Sequence, residues 1–377
     1  MMIIIQTFLI YILLYLILYG QSKRSEFNNS LNPILFALSV YSVIFGLRYG
    51  VGTDHLSYLE AYNEASNGTV ENNIEIGFAM ITNTMAKIGV PSFIYFTILA
   101  FIPIFLVYKS EENTKVIYRY LSFVFVFGCI WLTYNNGLRQ VIAFAIWVYS
   151  LQYIIKKKAV IYFILILLAM SFHKSAVILL PIYFIYHFTR KEWFSNVWKQ
   201  IGCVIIAAVL GQLNFPQRFS AFIDRVLIAT GYGAYLDDYY HQMVVKENIE
   251  NIGLGFIIIL LINIANIIHS EKVKLTINDS KITFIYNLYF IGVIVFYLFN
   301  SSLIINRINM YFYGFSFIFS AYVLYYLKIS GKQIPLITLV AIYILLFVGY
   351  LYRMFDNDSA FSFIWQEDLY GLHHPLK

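Results

Sequence analysis

The sequence predicts an all-α polytopic membrane protein with about 12 transmembrane helices. Three observations predict that class: 60% of the 377 residues are hydrophobic, only 12% are charged, and the mean hydropathy is +0.71. A soluble globular domain carries about 25% charged residues, so this composition excludes one. We expect residues 1–377 to form a single integral membrane domain.

Twelve apolar segments are the candidate spans of about 30 Å of hydrocarbon. They lie at 2–20, 31–47, 91–108, 119–133, 138–155, 159–172, 176–189, 200–213, 253–269, 282–300, 308–327 and 333–352. The first lacks a basic region ahead of it and a small-residue cleavage pattern, so we interpret it as a span and not as a signal peptide. The shorter segments suit tilted or re-entrant helices.

The distribution of basic residues predicts the orientation of these spans. If loop 21–30 is cytoplasmic, the loops on that side together hold 16 of the 26 Lys and Arg residues but only six of the 20 acidic residues. Every second loop obeys the positive-inside rule. Twelve spans with both termini outside are therefore internally consistent.

Two long loops, 48–90 and 214–252, lie on the predicted outer face. The inner loops are short and basic, as topology alone requires, so we expect function on the outer face. In the second loop, Asp224 and a tyrosine-rich run that includes Tyr235 fit a solvated loop best. The functional alternative is a sugar-binding surface, in which ring faces stack on pyranose and carboxylates accept hydroxyl hydrogen bonds.

Ionisable residues at the membrane boundary are costly and are therefore functional candidates. The first is Arg48, which opens the run Arg-Tyr-Gly-Val-Gly-Thr-Asp ending at Asp54. A snorkelling interfacial arginine is the alternative interpretation of Arg48. The two glycines allow backbone to approach a ligand closely. Glu75 follows later in the same loop, before a weakly amphipathic stretch from Ile76 to Ile88.

A predicted helical hairpin brings Arg139 and His173 to a similar depth in the membrane. At 1.5 Å per residue, the two helices of the hairpin rise by about 24 Å and about 20 Å. Arg139 begins its helix, where free N–H groups and a guanidinium together make an anion site. Gln140 follows it, and Lys174 follows His173. A lone histidine is more often structural than catalytic, but the spacing of His173 leaves both interpretations open.

Arg307 and Tyr311 share one helix face at i, i+4 spacing late in the chain. A buried ion pair with an outer-loop carboxylate is the simpler role for Arg307. The chain has no Gly-rich phosphate loop that would bind a nucleotide. Cys129 and Cys203 lie inside apolar segments, where cysteine acts as a small hydrophobe, so neither a disulfide nor a metal site is predicted.

These motifs resemble the EpsG-like family of bacterial polysaccharide polymerases, which groups with the Wzy-type O-antigen and capsule polymerases. The likeness rests on the Arg48 to Asp54 run with Tyr58, then Glu-Ile-Gly-Phe from Glu75, Leu-Arg-Gln around Arg139, and Phe-His-Lys-Ser around His173. It covers roughly residues 40–190. Asn306, Arg307 and Tyr311 resemble the family's late arginine motif.

The resemblance implies a glycosyltransferase with a GT-C-like membrane fold in the bacterial cytoplasmic (inner) membrane, active on its outer (periplasmic) face. The substrate would be an undecaprenyl-diphosphate-linked oligosaccharide, with no metal and no cofactor. A chain-length regulator and a flippase of the same pathway are implied partners in the lipid bilayer, and no nucleic acid is.

The expected reaction joins repeat units, with the diphosphate leaving group held by arginines. We predict catalytic roles for Asp54, His173 and Arg139, with Asp54 the first candidate for the base. The predicted substrate-binding residues are Arg48, Glu75, Gln140, Lys174, Arg307, Tyr311, Asp224 and Tyr235. Alternatives are a lipid-linked glycan ligase, a flippase or transporter of the lipid-linked sugar, and a structural membrane scaffold. Apolar span centres, with charge gathered at one face, argue against transport.

Overall fold

A computed structural model describes most of the chain. The described residues are 2–52, 54–67, 75–189, 193–213, 225, 253–300, 302–353 and 360–366. Their regular structure is helical apart from one isolated antiparallel bridge between Arg48 and Phe363. The predicted all-α polytopic class is confirmed. Asp224 and Tyr235 lie outside the described residues, as does loop 214–252 except for Arg225.

The described residues form sixteen α-helices. They are α1 (Met2–Phe27), α2 (Asn32–Gly46), α3 (His55–Ser66), α4 (Ile76–Lys87), α5 (Ser92–Ser110), α6 (Tyr118–Phe127), α7 (Ile130–Asn136), α8 (Leu138–Ile155), α9 (Ala159–Phe172), α10 (Ile182–Thr189), α11 (Val197–Gln212), α12 (Leu254–Ile277), α13 (Ser280–Leu298), α14 (Leu303–Tyr313), α15 (Phe315–Ile329) and α16 (Gln333–Arg353). Short 3₁₀ helices cover Glu112–Ile117, Lys174–Leu179 and Ile364–Gln366.

Seven helices among the described residues are long and apolar enough to cross a membrane. The number becomes eight if the bent pair Glu112–Phe127 and Ile130–Asn136 is one span. Four shorter apolar helices lie at Asn32–Gly46, Ala159–Phe172, Lys174–Phe188 and Val197–Gln212. The predicted count of twelve includes those four and stays a prediction.

The described chain divides into two compact units, residues 1–188 with 327–377, and residues 189–326. The expectation of one integral domain is not tested by this division. In the first unit α8 packs against α5 and α9. Every residue from Val141 to Val148 in α8 is buried, so neighbouring helices cover it on all sides. The α8 and α9 bounds confirm the predicted hairpin.

A bend of 73° separates α6 from α7. It falls at Gly128 and Cys129, and Cys129 has a left-handed backbone with φ of 55°. The chain therefore changes direction between α6 and α7. Asn135 and Asn136 lie at the end of α7, directly before the turn into α8.

The first outer loop contains two helices, α3 and α4, that pack together: α4 coincides with the predicted amphipathic stretch from Ile76 to Ile88, whereas α3 was not predicted. Ring contact between Tyr58 and Phe78, with centroids 5.6 Å apart, joins them. The Tyr62 hydroxyl donates to Val90 O at 2.5 Å, and its ring stacks on Tyr95. Asp54 precedes α3 and Glu75 precedes α4, and the contact between Tyr58 and Phe78 brings the starts of the two helices together.

In the second unit, α13 packs against α11 and α14. A buried polar network lies among its apolar side chains. Asn263 Nδ2 donates to the hydroxyls of Tyr297 at 3.0 Å and Tyr313 at 3.1 Å, while the Tyr289 hydroxyl donates to Asn263 Oδ1 at 2.7 Å. Polar groups buried within an apolar bundle are costly unless they are paired, and here they pair with each other.

Candidate functional site

The site begins at the turn that follows α2. Gly50 and Gly52 adopt φ values of 66° and 91°, which only glycine adopts without strain. A Cβ at Gly52 would also lie 3.0 Å from Asn136 Oδ1. Glycine is therefore required here by the backbone and by the close approach of α7. The turn directs Arg48 inward and brings Asp54 to the start of α3.

Arg48 is almost completely buried, with 1% of its surface exposed. Its Nη1 donates to Phe45 O at 2.6 Å, its Nη2 donates to Asn135 O at 3.0 Å, and its guanidinium lies 5.3 Å from the centre of the Phe96 ring. Burial lowers the pKa of Arg48 to about 10, so it remains cationic at neutral pH. In this position it ties the turn to α7.

Two asparagines before α8 connect the same elements. Asn135 Nδ2 donates to the Tyr41 hydroxyl at 2.7 Å and to Trp131 O at 2.6 Å. Asn136 Oδ1 accepts a hydrogen bond from the backbone N–H of Asp54 at 2.9 Å. The first turn of α8, which carries Arg139, is therefore held beside Asp54.

Arg139 lies at the centre of a charged cluster. Its Nη1 donates to Glu75 Oε2 at 2.6 Å, and it also hydrogen-bonds the Tyr58 hydroxyl. One third of the arginine side chain is exposed, against 10% of the Glu75 side chain. Burial raises the pKa of Tyr58, an effect that the cationic Arg139 opposes and nearby Asp54 reinforces. We call Arg139, Glu75, Tyr58 and Asp54 the outer cluster.

His173 lies close in the chain to a contact between α9 and α4. Its Nδ1 is 2.5 Å from Ser175 Oγ, and its backbone is extended at the end of α9. A Cβ at Gly77, two residues after Glu75, would lie 2.8 Å from Ser171 O. The start of α4 is therefore packed against the end of α9. Lys174 is exposed at the beginning of the next 3₁₀ helix.

The structure brings together four predicted site residues, Arg48, Asp54, Glu75 and Arg139, through the α2 turn, α3, α4 and α8. Gln140 is buried in the first turn of α8. Arg307 and Tyr311 belong to α14 in the second unit, where Arg307 is exposed and Tyr311 is buried. Their substrate-binding role stays a prediction.

Sequence reasoning did not select His55 as a site residue. Its Nδ1 accepts the backbone N–H of Gly50 at 3.2 Å, and its ring is 1% exposed. Burial, with the nearby charge of Arg48, lowers the pKa of His55 to about 2, so the ring is neutral. The sequence feature that could have identified His55 is its position directly after Asp54.

A segment near the C-terminal end of the sequence also contacts the turn that follows α2, which we call the Arg48 turn. No feature of the sequence predicted this contact. Tyr49 N donates to Ser362 O at 2.8 Å, and Ile364 N donates to Leu47 O at 3.0 Å. Phe361 N donates to Thr7 Oγ1 at 2.9 Å, which fastens the segment to α1. We call residues 360–366 the C-terminal strap. The strap contacts the turn through backbone hydrogen bonds, which residues of many types can make, so this contact leaves no motif in the sequence.

No group of three or more His, Cys, Asp or Glu residues in the described part of the chain is arranged to hold a metal ion. The outer cluster instead offers one guanidinium, two carboxylates and a phenol. A guanidinium binds phosphate oxygens, and carboxylates accept protons from hydroxyls.

Fold and site together define a polytopic helical membrane protein with a charged cluster where its predicted outer loop meets the bundle. Comparison with protein-family models matches the EpsG family over residues 31–365. The chain belongs to the EpsG family. No curated protein and no solved structure matches it. Family membership supports a polysaccharide-polymerase-like membrane protein.

Proposed function

We propose that this chain polymerises a polysaccharide by joining oligosaccharide repeat units carried on undecaprenyl diphosphate, at the outer face of the bacterial cytoplasmic membrane, on a GT-C-like fold. Family membership supports the general activity. The observation that supports the mechanism is the outer cluster, in which Arg139 lies with two carboxylates at the predicted membrane boundary.

In this reaction the acceptor hydroxyl of a fresh unit attacks the anomeric carbon of the growing chain. The bond from that carbon to the diphosphate oxygen breaks, and undecaprenyl diphosphate leaves with the bonding electrons. Negative charge grows on the leaving group, so a guanidinium stabilises the transition state more than the ground state. We assign this role to Arg139, with Arg307 as a second candidate.

The acceptor proton must pass to a base. Asp54 is the first candidate, because its backbone is fixed by Asn136 beside the first turn of α8. His173 and Glu75 are the alternatives. The Glu75 carboxylate accepts a hydrogen bond from Arg139 Nη1. An arriving diphosphate must therefore bind the other N–H donors of Arg139 or displace the carboxylate. Arg48, buried against Phe45 O and Asn135 O, would position the turn and not contact the substrate.

The first experiment is glycan display on a gel from cells that lack the protein and are complemented at equal membrane abundance. Wild type should restore a ladder, whereas Arg139→Ala should leave single repeat units, a loss of more than about 100-fold in polymer. Arg139→Lys should rescue poorly, because a point charge does not reproduce the planar fork.

Arg119→Ala is a matched control, since Arg119 is also a partly exposed arginine paired with a glutamate, Glu26, at 3.0 Å. It should keep the ladder. A swapped pair, Arg139→Glu with Glu75→Arg, tests whether the ion pair is only structural. Restoration of the ladder by the swap would contradict the proposed role of Arg139.

Two alternatives give different gels. A ligase that transfers finished glycan would leave long chains on the lipid carrier when it is lost. A flippase would leave unpolymerised units on the cytoplasmic side. An intact ladder in the deletion strain would overturn the polymerase proposal.

A further inference from the structure

A cavity of about 530 Å³ opens at the end of α1, on the face that the basic residues predict to be cytoplasmic. Its lining residues are Gly20, Lys23, Arg24, Glu26, Phe27 and Arg119. A water molecule occupies about 30 Å³ in the liquid, so the cavity has room for far more than one small ion. We call it the inner pocket.

The charges of the inner pocket do not cancel. Arg119 and Glu26 neutralise each other, with Nε to Oε2 at 3.0 Å and Nη2 to Oε1 at 3.3 Å. Lys23 and Arg24 have no ion-pair or hydrogen-bond partner for their side chains among the described residues. Glu112, on the adjacent 3₁₀ helix, is paired with Lys109. Two cationic groups therefore remain at the rim.

The other part of the lining is apolar and open. Phe27 is 91% exposed, and no atom lies within 4 Å of the position that a Cβ on Gly20 would take. A cationic rim beside an apolar wall suits an amphipathic anion better than a fully hydrated one. Basic pockets on the cytoplasmic side of membrane helices bind the phosphate groups of anionic lipids in this way.

We propose that the inner pocket binds an anionic phospholipid, with Lys23 and Arg24 on the headgroup phosphate and the acyl chain leaving past Gly20 toward the bilayer. The site is independent of the polymerase proposal, because it shares no residue with the outer cluster. The positive-inside rule alone explains why Lys23 and Arg24 are basic, but it does not require a cavity beside them. Lipid binding requires both the charges and the cavity.

The test measures binding of phosphatidylglycerol to the purified full-length protein in detergent by native mass spectrometry. Lys23→Ala with Arg24→Ala should weaken binding at least tenfold. The control is Lys156→Ala with Lys157→Ala, which removes two exposed lysines from the same predicted face but no residue of the pocket. It should bind as wild type does.

A second variant separates the cavity from the charge. Gly20→Trp places a large ring in open space and keeps both cations, and it should weaken phosphatidylglycerol binding while leaving the thermal midpoint of the lipid-free protein unchanged. Equal losses in the pocket variant and the lysine control, or equal binding of phosphatidylcholine, would overturn the proposal. Displacement of the lipid by millimolar inorganic phosphate would assign the pocket to a soluble phosphate and overturn the lipid assignment.

Discussion

Two arginines that the sequence places in one predicted site have different surroundings. Arg139 is one-third exposed and is bonded to a carboxylate and a phenol, so its guanidinium can exchange partners when an anion arrives. Arg48 is buried on two backbone carbonyls. At the residue scale, exposure separates a group that can meet substrate from one that fixes the backbone around it.

Arg48→Ala is predicted to destabilise the protein by about 2–4 kcal/mol, because two buried carbonyl oxygens lose their donors. The thermal midpoint in detergent should fall, and membrane abundance should fall with it. Arg48→Lys should recover only part of the loss, since one ammonium does not span both carbonyls as a guanidinium does. A variant with wild-type stability and no polymer would instead place Arg48 in substrate contact.

His55 predicts a pH dependence of stability. Its pKa is lowered to about 2 in the folded protein from an ordinary value of 6.5. Below pH 6.5 the unfolded chain takes up a proton that the folded chain does not, so stability falls as the pH falls. The loss is about 1.4 kcal/mol per pH unit, or about 2 kcal/mol at pH 5.

His55→Asn is the matched variant, because its Oδ1 can accept the Gly50 N–H and it does not titrate. Its thermal midpoint should change less than that of wild type between pH 7 and pH 5. Identical pH profiles for the two proteins would show that the buried imidazole does not control this effect.

At the scale of elements, the outer cluster depends on how α4 meets α9. Gly77 faces Ser171 so closely that any Cβ would meet the Ser171 backbone oxygen at 2.8 Å. Gly77→Ala should therefore shift the start of α4, and with it Glu75, away from Arg139. We expect a reduced polymer ladder at near-normal abundance, since the helix itself tolerates alanine.

Gly202→Ala in α11 is the control, as no atom lies within 4 Å of the position its Cβ would take. It should keep the full ladder and gain slightly in stability, because alanine favours helix over glycine. If Gly77→Ala behaves in the same way, the packing of α4 on α9 does not position the site.

At the scale of the whole molecule, residues from both ends of the chain meet at the Arg48 turn. The C-terminal strap pairs with Leu47 and Tyr49, and the fully buried Phe361 ring packs edge-on against Tyr11 and Phe45. The backbone hydrogen bonds between the strap and this turn therefore form only when residues 360–366 pack against α1.

Phe361→Ala should cost about 3–5 kcal/mol, the usual cost of emptying a buried phenylalanine site. Trp365→Ala is the control, because Trp365 is 66% exposed and its ring stacks on Phe363. Its effect on the thermal midpoint should be small. Comparable losses in the two variants would contradict the anchoring role of Phe361.

The sequence by itself determined the class, the hairpin of α8 and α9 and the family, and it selected Arg139, Glu75 and Asp54 as candidate site residues, whose roles stay predictions. Hydrophobic segment length, basic-residue distribution and short motifs are local properties, so they are readable without a structure. Of the two helices in the first outer loop, the sequence indicated α4, as the weakly amphipathic stretch from Ile76 to Ile88, but not α3, whose residues are largely polar.

Only the tertiary structure decided which charges meet. The Arg139 to Glu75 pair joins residues 64 positions apart, and the strap joins Gln6 to Gln366 across 360 positions. No local pattern encodes such distances. The burial of each side chain is also a property of the packed bundle and not of the local sequence. Packing buries Arg48 and His55, so that Arg48 links two elements and His55 is neutral. It leaves Lys23 and Arg24 exposed at a pocket.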